Sequence, residues 1–439
     1  MAKRKQKESL TLEEKLEAAL VPEDEQLYEV PGNWCWVKLL SAFENLTDSK
    51  KKIQTKQYEE VGAIPIIDQG QEFIGGFTDD DSLKHDAELP VIVFGDHTRC
   101  VKYIDFSFAQ GADGVKVLKP YSFYDSKAFY YALQSIDIPN MGYRRHYPLF
   151  KNFSIPLPPL PEQHRIVERI ESLFSQLDEA RDKAQEALDS FDIRKSSLLQ
   201  KAFSGELTEK WRKENRVSID TWENLILDSV CESIYDGDHM PPPKSESGIP
   251  FLVISNVNDG YLSFKNTRYV PEDYYNSLSK TRKPEKGDVL YTLVGSYGIP
   301  VVVDSDKPFC FQRHMGLLKP RKVDTYYLWY QLQSDVIYQK ATAIATGTAQ
   351  LTVPIKGLRK IEIAVPTMKE QQEIVRILND VLGKERKLQE DILGIIEQIE
   401  SIKKSILAKA FRGELGTNDP EDESASELLK TVLNDSQKQ

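Results

Sequence analysis

The sequence predicts a mixed α/β protein with two similar α/β domains, separated by two long α-helices that pair as an antiparallel coiled coil. Its length of 439 residues suits two or three domains. One stretch of some fifty residues occurs twice at a constant offset of 208. Apolar residues inside both copies keep a spacing of about 3.5 residues, which is typical of a coiled-coil seam. These observations predict a tandem protein with a pseudo-two-fold repeat.

The repeat covers 155–207 and 363–415, which align without a gap. Its identical residues concentrate at the two ends of each copy. The start motif is Pro-x-x-x-Glu-Gln-x-x-Ile-Val, which supplies Glu162 and Gln163 in one copy and Glu370 and Gln371 in the other. The end motif is Lys-Ala-Phe-x-Gly-Glu-Leu, and its candidate scaffold residues are Phe203, Gly205, Glu206, Phe411, Gly413 and Glu414. Because both motifs recur at the same offset, the interpretation that these are two unrelated surface helices is disfavoured.

Each copy is predicted to form one helix of about 40 residues, or roughly 60 Å at about 1.5 Å per residue. Gly205 and Gly413 suit the left-handed residue that ends a helix. Alanine is common in the first seam and isoleucine in the second, so small side chains would face large ones. Arg194 and Glu385 are the charged residues in these seams. We therefore expect the two helices to pack against each other in antiparallel fashion.

The rest of the chain divides around these helices. Both globular parts begin with a tryptophan-bearing segment, contain a Gly/Ile/Pro strand, and reach Leu-Lys-Pro before an aromatic-rich helix. The predicted segments are an N-terminal segment with a short helix (1–30), a first α/β domain (31–154), a central helical region (155–220), a second α/β domain (221–360), a distal helical region (361–416) and an acidic C-terminal tail (417–439).

The net charge of −11 at first disfavours a nucleic acid as partner. However, seven of these charges lie in 1–30 and 417–439, so the globular parts are nearly neutral. Such an average permits DNA binding through a local basic surface. The N-terminus has no signal-peptide pattern, no apolar run is long enough to span a bilayer, and the four cysteines are scattered. We expect a cytoplasmic protein with reduced thiols and no membrane contact.

Two polar runs in the first domain are candidate DNA-binding residues. The strongest is the loop that contains Tyr143, Arg144, Arg145 and His146. Arginine can neutralise phosphate or contact guanine, and the rings can stack on bases or donate hydrogen bonds to them. An ordinary solvated basic loop is an equally weighted alternative. The second run follows an apolar strand and contains His97, Thr98 and Arg99.

In the second domain the corresponding candidates are Asp236, His239, Ser255, Asn256, Ser296, Tyr297, Thr348 and Gln350. His239 lies near two aspartates, a combination that could bind a metal. One turn-like cluster is weak evidence for such a site, and a hydrogen-bonded loop is favoured. We therefore predict no metal site.

Several catalytic signatures are missing from the sequence. It has no G-x-x-x-x-G-K-[ST] phosphate loop, no dinucleotide fingerprint and no Ser/His/Asp nucleophile elbow. It also lacks the Asp/Asn-Pro-Pro-Tyr/Phe tetrapeptide that would hold a flipped adenine. No carboxylate pair has a spacing that sets it apart as a nuclease site. We expect no catalytic residues and no cofactor in this chain.

The repeated helix starts and ends resemble those of the specificity subunit of type I restriction–modification systems, over about 31–415. The resemblance implies two target recognition domains that each bind half of a split DNA sequence, with the helices as a ruler between them. It also implies docking of two DNA-adenine methyltransferase subunits and, through them, of motor and nuclease subunits. Those partners would use S-adenosylmethionine, ATP and Mg²⁺. The start and end motifs would belong to the scaffold and docking region.

Two alternatives remain open from the sequence. One is a self-sufficient DNA methyltransferase or nuclease with a cryptic site, which would modify or cut DNA on its own. The other is a non-catalytic coiled-coil scaffold whose two domains bind protein or carbohydrate. DNA affinity that falls steeply with salt would disfavour the scaffold, because phosphate contacts release counterions.

Overall fold

The computed structural model describes residues 11–112, 114–237, 242–348 and 350–435. Two compact units divide the chain. The first consists of 1–183 together with 394–439, and the second of 184–393. Each long helix therefore contributes one half to each unit. The six segments predicted from the sequence remain a prediction.

Each of the two repeats contains one long helix, and shorter helices lie elsewhere in the chain. In chain order the α-helices of the described residues are α1 (Leu12–Ala19), α2 (Ser126–Ser135), α3 (Leu160–Phe203), α4 (Glu209–Asn215), α5 (Leu227–Val230), α6 (Glu272–Ser277), α7 (Thr325–Leu332), α8 (Asp335–Ile344), α9 (Ile355–Leu358), α10 (Met368–Ala410) and α11 (Ala425–Asp435). Among these residues, no helix combines the length and the apolar character needed to cross a bilayer.

Strands build the two globular parts. In chain order they are β1 (Cys35–Lys38), β2 (Phe43–Asn45), β3 (Lys52–Ile53), β4 (Ile64–Ile67), β5 (Gly76–Thr78), β6 (Val91–Gly95), β7 (Val101–Ile104), β8 (Ala109–Gly111), β9 (Val115–Pro120), β10 (Ser154–Leu157), β11 (Glu223–Ile226), β12 (Cys231–Asp236), β13 (Ile249–Leu252), β14 (Arg268–Val270), β15 (Val289–Thr292), β16 (Pro300–Val302), β17 (Cys310–Phe311), β18 (Met315–Pro320) and β19 (Glu362–Val365).

The first unit contains an antiparallel sheet of order β2-β9-β6-β7 and a smaller sheet of order β3-β8-β4-β5. In the smaller sheet β4 is parallel to β8 and antiparallel to β5. Strand β6 is apolar along its length because both of its faces are buried. Helix α2 follows β9, and its side chain Phe129 packs with Phe94 and Phe150 in the largest hydrophobic cluster of the unit.

The second unit repeats this topology. Its antiparallel sheet has the order β12-β18-β15-β16, and its smaller sheet has the order β14-β13-β17. Strand β13 is parallel to β17 and antiparallel to β14, as β4 is to β8 and β5. Helix α7 follows β18 as α2 follows β9. The prediction of two similar mixed α/β domains is therefore confirmed.

The two long helices have 44 and 43 residues, close to the predicted length. In the first unit Ile166 of α3 shares a hydrophobic cluster with Leu407 of α10. Further along α3, Asp178 accepts a 2.6 Å hydrogen bond from Lys403 of α10. The partner number falls on one helix as it rises on the other, so this pair of half-helices is antiparallel.

The second unit has the same arrangement. Leu199 of α3 lies in one cluster with Ile374 of α10. Arg194 and Glu385, the two charged seam residues, form an ion pair with an N···O distance of 2.9 Å. Each charge in the seam therefore has the other as its partner. The predicted antiparallel pairing holds within each unit.

The heptad spacing predicts a seam of α10 that includes Leu388, Ile392, Ile395, Ile399 and Ile402, and part of this prediction is wrong. Ile392 and Ile399 are buried, as predicted. Leu388, Ile395 and Ile402 are 50%, 49% and 45% exposed. A helix with one helical partner buries only the stripe that faces this partner. In the first unit Ile395 and Ile402 therefore form an exposed apolar row beside the seam.

Helices lie near both ends of the described residues in the first unit. The predicted short helix is present as α1, which Thr11 caps in a capping box with Glu14. Within the acidic tail, α11 packs against α1, and Ala425 and Leu429 are buried in the main hydrophobic cluster. The described part of the tail, up to residue 435, therefore packs into the first unit.

Candidate nucleic-acid interface and helix-start contacts

The Glu-Gln pair at the start of α3 attaches the first domain to this helix. Both side chains are buried. The indole nitrogen of Trp34 donates to Glu162 Oε2 at 2.6 Å. The backbone nitrogen of Asp125, the residue that caps α2, donates to Gln163 Oε1 at 2.7 Å. Gln163 Nε2 in turn donates to the carbonyl of Pro158 at 2.9 Å.

The second copy repeats these contacts with its own residues. Trp222 Nε1 donates to Glu370 Oε2 at 3.0 Å. The backbone nitrogen of Asp324, which caps α7, donates to Gln371 Oε1 at 2.8 Å. In both units a two-stranded sheet, β1–β10 or β11–β19, runs beside the contact. The repeated Glu-Gln motif therefore fixes one domain on the start of each long helix.

The two buried carboxylates differ in their remaining partners. Glu370 Oε1 accepts from Thr208 Oγ1 and from Arg212 Nη1, both at 2.7 Å. Glu162 instead accepts from Asn418 Nδ2 at 2.8 Å and from Thr417 Oγ1 at 3.3 Å. Glu370 thus has the buried cation Arg212 beside it, whereas the two donors to Glu162 named here are neutral.

The end motifs stop the helices as predicted, since Gly205 and Gly413 adopt positive φ angles of +84° and +74°. Phe411 is buried and Phe203 packs against Tyr327. Among the ten candidate scaffold residues, the exposed side chains are those of Glu206 and Glu414. The docking role of these motifs remains a prediction. The four helix-start side chains already have partners within their own units.

The structure brings together the two candidate runs of the first domain. The ring of His97, in the turn after β6, stacks on Tyr143 with a centroid distance of 4.7 Å and an interplanar angle of 13°. Tyr143 is 86% exposed, and Arg144 and Arg145 are exposed beside it. We call these four residues the first-domain loop surface. It combines two positive charges with an exposed aromatic face, the chemistry that DNA binding needs.

His146 does not belong to this surface, and its prediction as a DNA contact is wrong. The side chain is buried; its Nδ1 donates to the carbonyl of Asp96 at 2.8 Å, and its Nε2 accepts from Met141 N at 3.1 Å. Thr98 and Arg99 are half-buried and bond to neighbouring carbonyls, Arg99 to that of Ile138 at 2.8 Å. These residues hold the loops in place.

In the second domain Asp236 and Gln350 line one cleft of about 380 Å³. Arg313 and His314 line the same cleft and were missed from the sequence. The available signal was their position at the end of an apolar strand: they directly precede β18, and the run that contains His97 directly follows β6. Burial lowers the pKa of His314, and the charge of Arg313 lowers it further. The lowered pKa favours the neutral imidazole, which can both donate and accept.

The other second-domain candidates lie outside that cleft. Ser255, Ser296 and Thr348 are exposed, whereas Tyr297 stacks on Tyr338 at 5.5 Å. Asn256 is buried; its Oδ1 accepts from the backbone nitrogen of Val253 and its Nδ2 donates to the carbonyl of Lys265, so its prediction as a base contact is wrong. His239 lies outside the described residues. Within the part of the chain that is described, no three metal-ligating side chains cluster.

Two domains of one topology, each fixed to a long helix and each presenting polar loops, define a tandem recognition protein with a helical scaffold. Comparison with known proteins identifies the kind of recognition. The family model for the type I restriction modification DNA specificity domain matches residues 31–187 and 219–400. The chain belongs to this family.

Curated relatives agree with this assignment. The EcoBI specificity subunit of Escherichia coli is 24% identical over an alignment of 318 positions that covers 66% of this chain and 66% of that protein. The EcoKI specificity subunit of Escherichia coli strain K12 is 28% identical over 278 residues, 61% of this chain and 58% of that protein. The aligned parts thus span less than two thirds of these relatives.

One solved structure concerns complex assembly and conformational transition of the type I R-M system. It contains a chain with the same fold. Its TM-score is 0.63 at 19% identity, and the match covers 88% of this chain and all of that one.

Proposed function

We propose that this chain is the non-catalytic DNA-recognition subunit of a cytoplasmic type I restriction–modification complex that serves in phage defence. It binds a bipartite DNA target with its two domains, and the helices set the distance between the half-sites. The observation that carries the proposal is the duplicated domain with the same Trp–Glu and Asp–Gln contacts at each helix start.

Duplication suits recognition of a split sequence for an energetic reason. One domain that contacts a few base pairs discriminates by about 1–3 kcal/mol per mismatched pair. Two domains on one chain make the second contact intramolecular, so their selectivities combine. A continuous helix between the domains has few internal degrees of freedom. The length of the spacer between the half-sites then becomes part of the specificity.

The first-domain loop surface should supply phosphate or base contacts. We expect Arg144→Ala/Arg145→Ala to weaken binding to a duplex with the target sequence by about 10- to 100-fold, at about 1–3 kcal/mol for the pair. The log–log slope of affinity against salt should fall by about one for each arginine that no longer neutralises a phosphate. Fluorescence anisotropy at several salt concentrations measures both quantities.

Lys213→Ala is the matched control, because Lys213 is an exposed cation already paired with Glu209. This variant should bind DNA as the unchanged protein does. Equal affinity in the arginine variant and the control would place the DNA-binding residues elsewhere. If the affinity did not change with salt concentration, DNA would be excluded as the ligand.

The partners of the complex are two DNA-adenine methyltransferase subunits and, through them, motor and nuclease subunits. The partners bring S-adenosylmethionine, ATP and Mg²⁺. The methyltransferase subunit docks with a helix on Ile395 and Ile402 of the first unit; these side chains lie one heptad apart and are each about half exposed, which supports this docking.

Ile395→Glu/Ile402→Glu should abolish recovery of the methyltransferase in an affinity purification of the tagged chain, because two carboxylates would have to lose their water in the interface. Gln398→Glu/Ser401→Glu is the control, since it adds the same charge at exposed polar positions of the same helix. Full recovery with the isoleucine variant would exclude this row as the docking surface.

Methylome sequencing of the host, with and without the gene, tests the whole proposal. Adenine methylation at one bipartite motif should disappear with the gene. The purified chain alone should neither methylate DNA with S-adenosylmethionine nor cut it with Mg²⁺. An unchanged methylome, or modification by the chain alone, would overturn the proposal.

A further inference from the structure

A cleft of about 180 Å³ in the second unit lies where α3, α7 and α10 meet. Its cationic groups are Lys195 from α3 and Arg386 from α10. Trp329 and Tyr330 of α7 form an aromatic wall, and Gln389 contributes an amide. The space greatly exceeds the roughly 10–15 Å³ that one water needs.

Within the described part of the chain, no close ion pair neutralises the two cations. Neither Lys195 nor Arg386 has a carboxylate oxygen within 4.0 Å of a side-chain nitrogen among the residues that the structure describes. Glu385 also lines the cleft, but Arg194 holds it at 2.9 Å. Asp192 is exposed at the rim. Burial lowers the pKa of Lys195, and Arg386 lowers it further, against the opposing charge of Asp192.

The repeat provides an internal comparison. At the offset of 208, Lys195 corresponds to Lys403 and Arg386 corresponds to Asp178. In the first unit these positions form an ion pair, with Lys403 Nζ at 2.6 Å from Asp178 Oδ1. The same lysine therefore has a carboxylate partner in one unit, whereas in the other the partner position carries a second cation.

We propose that the cleft of the second unit binds an oxyanion of the phosphate class between Lys195 and Arg386. Like charges in a partly buried site cost free energy unless an anion or water compensates them. A phosphate group offers oxygen acceptors to the ammonium and to the guanidinium fork. Inorganic phosphate and the phosphate of a mononucleotide present the same group, so both are candidate sources.

Isothermal titration of the full chain with inorganic phosphate tests the proposal. We expect Lys195→Gln and Arg386→Asp to weaken phosphate binding at least tenfold. Arg386→Asp gives the second unit the lysine–carboxylate arrangement of the first, so this variant should fold normally. Arg376→Asp makes the same charge change at an exposed position of α10 and should leave phosphate affinity unchanged.

The reciprocal variant gives a gain of function. Asp178→Arg should raise the stoichiometry from one phosphate per chain to two. AMP and adenosine then separate the sources: AMP binding tighter than phosphate indicates a nucleotide, and equal affinity indicates the free ion, while adenosine should not bind. Unchanged affinity in Lys195→Gln and Arg386→Asp, or an unchanged stoichiometry in Asp178→Arg, would overturn the proposal. These outcomes do not depend on DNA recognition.

Discussion

Replacing Glu370 by alanine is expected to destabilise the contact between the second domain and α10 by about 3–5 kcal/mol, the usual cost of removing one partner of a buried ion pair. Arg212 would keep its charge in a site where it is only 9% exposed, without the 2.7 Å bond to Glu370. Trp222 and Thr208 would lose their acceptor as well. Native-state hydrogen exchange of α7 and of the start of α10 measures the destabilisation locally.

Two further variants separate the ion pair from other effects. Glu373→Ala lies one turn away and removes a surface pair with Arg376, so it should leave exchange rates nearly unchanged. Glu370→Met combined with Arg212→Met removes both charges and should recover the part of the stability that the unpaired charge costs, while Trp222 and Thr208 still lack their acceptor. If the double variant is as unstable as Glu370→Ala, the buried ion pair is not the cause.

Lengthening both helices by one heptad is expected to abolish modification of the natural target and create a new one. One heptad is inserted directly after Asp178 in α3 and one directly before Lys403 in α10. This placement leaves the Asp178–Lys403 and Arg194–Glu385 pairs on their own sides of the inserts. Seven residues add about 10.5 Å. At about 3.4 Å per base pair, the spacer should grow by about three base pairs.

Methylome sequencing of a host that carries the lengthened chain measures the spacer directly. A heptad in α3 alone is the control: it shifts one helix against the other and should impair folding without giving a longer spacer. If the doubly lengthened chain folds and methylates the original target, the helices do not set the half-site distance.

The sequence predicted much of the scaffold because its determinants are local and periodic. Heptad spacing and a glycine after the last turn act within a few residues of each other, and the constant offset shows the duplication directly. The ion pair between Arg194 and Glu385 follows from the same register. The exposed row that includes Ile395 was not separable from the buried Ile399, since both are apolar and close to the seam.

The candidate DNA-binding residues were harder to assign. Arg145 and His146 are neighbours in the sequence and both are suitable for DNA, but one is exposed and the other buried. The difference arises from Asp96, fifty residues earlier, whose carbonyl accepts from the imidazole of His146. Arg313 and His314 gave no motif of their own and became visible only beside Asp236 and Gln350 in one cleft.

By itself the sequence determined the duplicated plan of this protein: two α/β domains and two long antiparallel helices, each bounded by its own start and stop signals. Only the tertiary structure decided what the repeated Glu-Gln motif does. Its partners Trp34 and Asn418 lie 128 and 256 positions from Glu162. Local periodicity carries no information about such distances, because burial and hydrogen bonding depend on which remote segments the fold brings together.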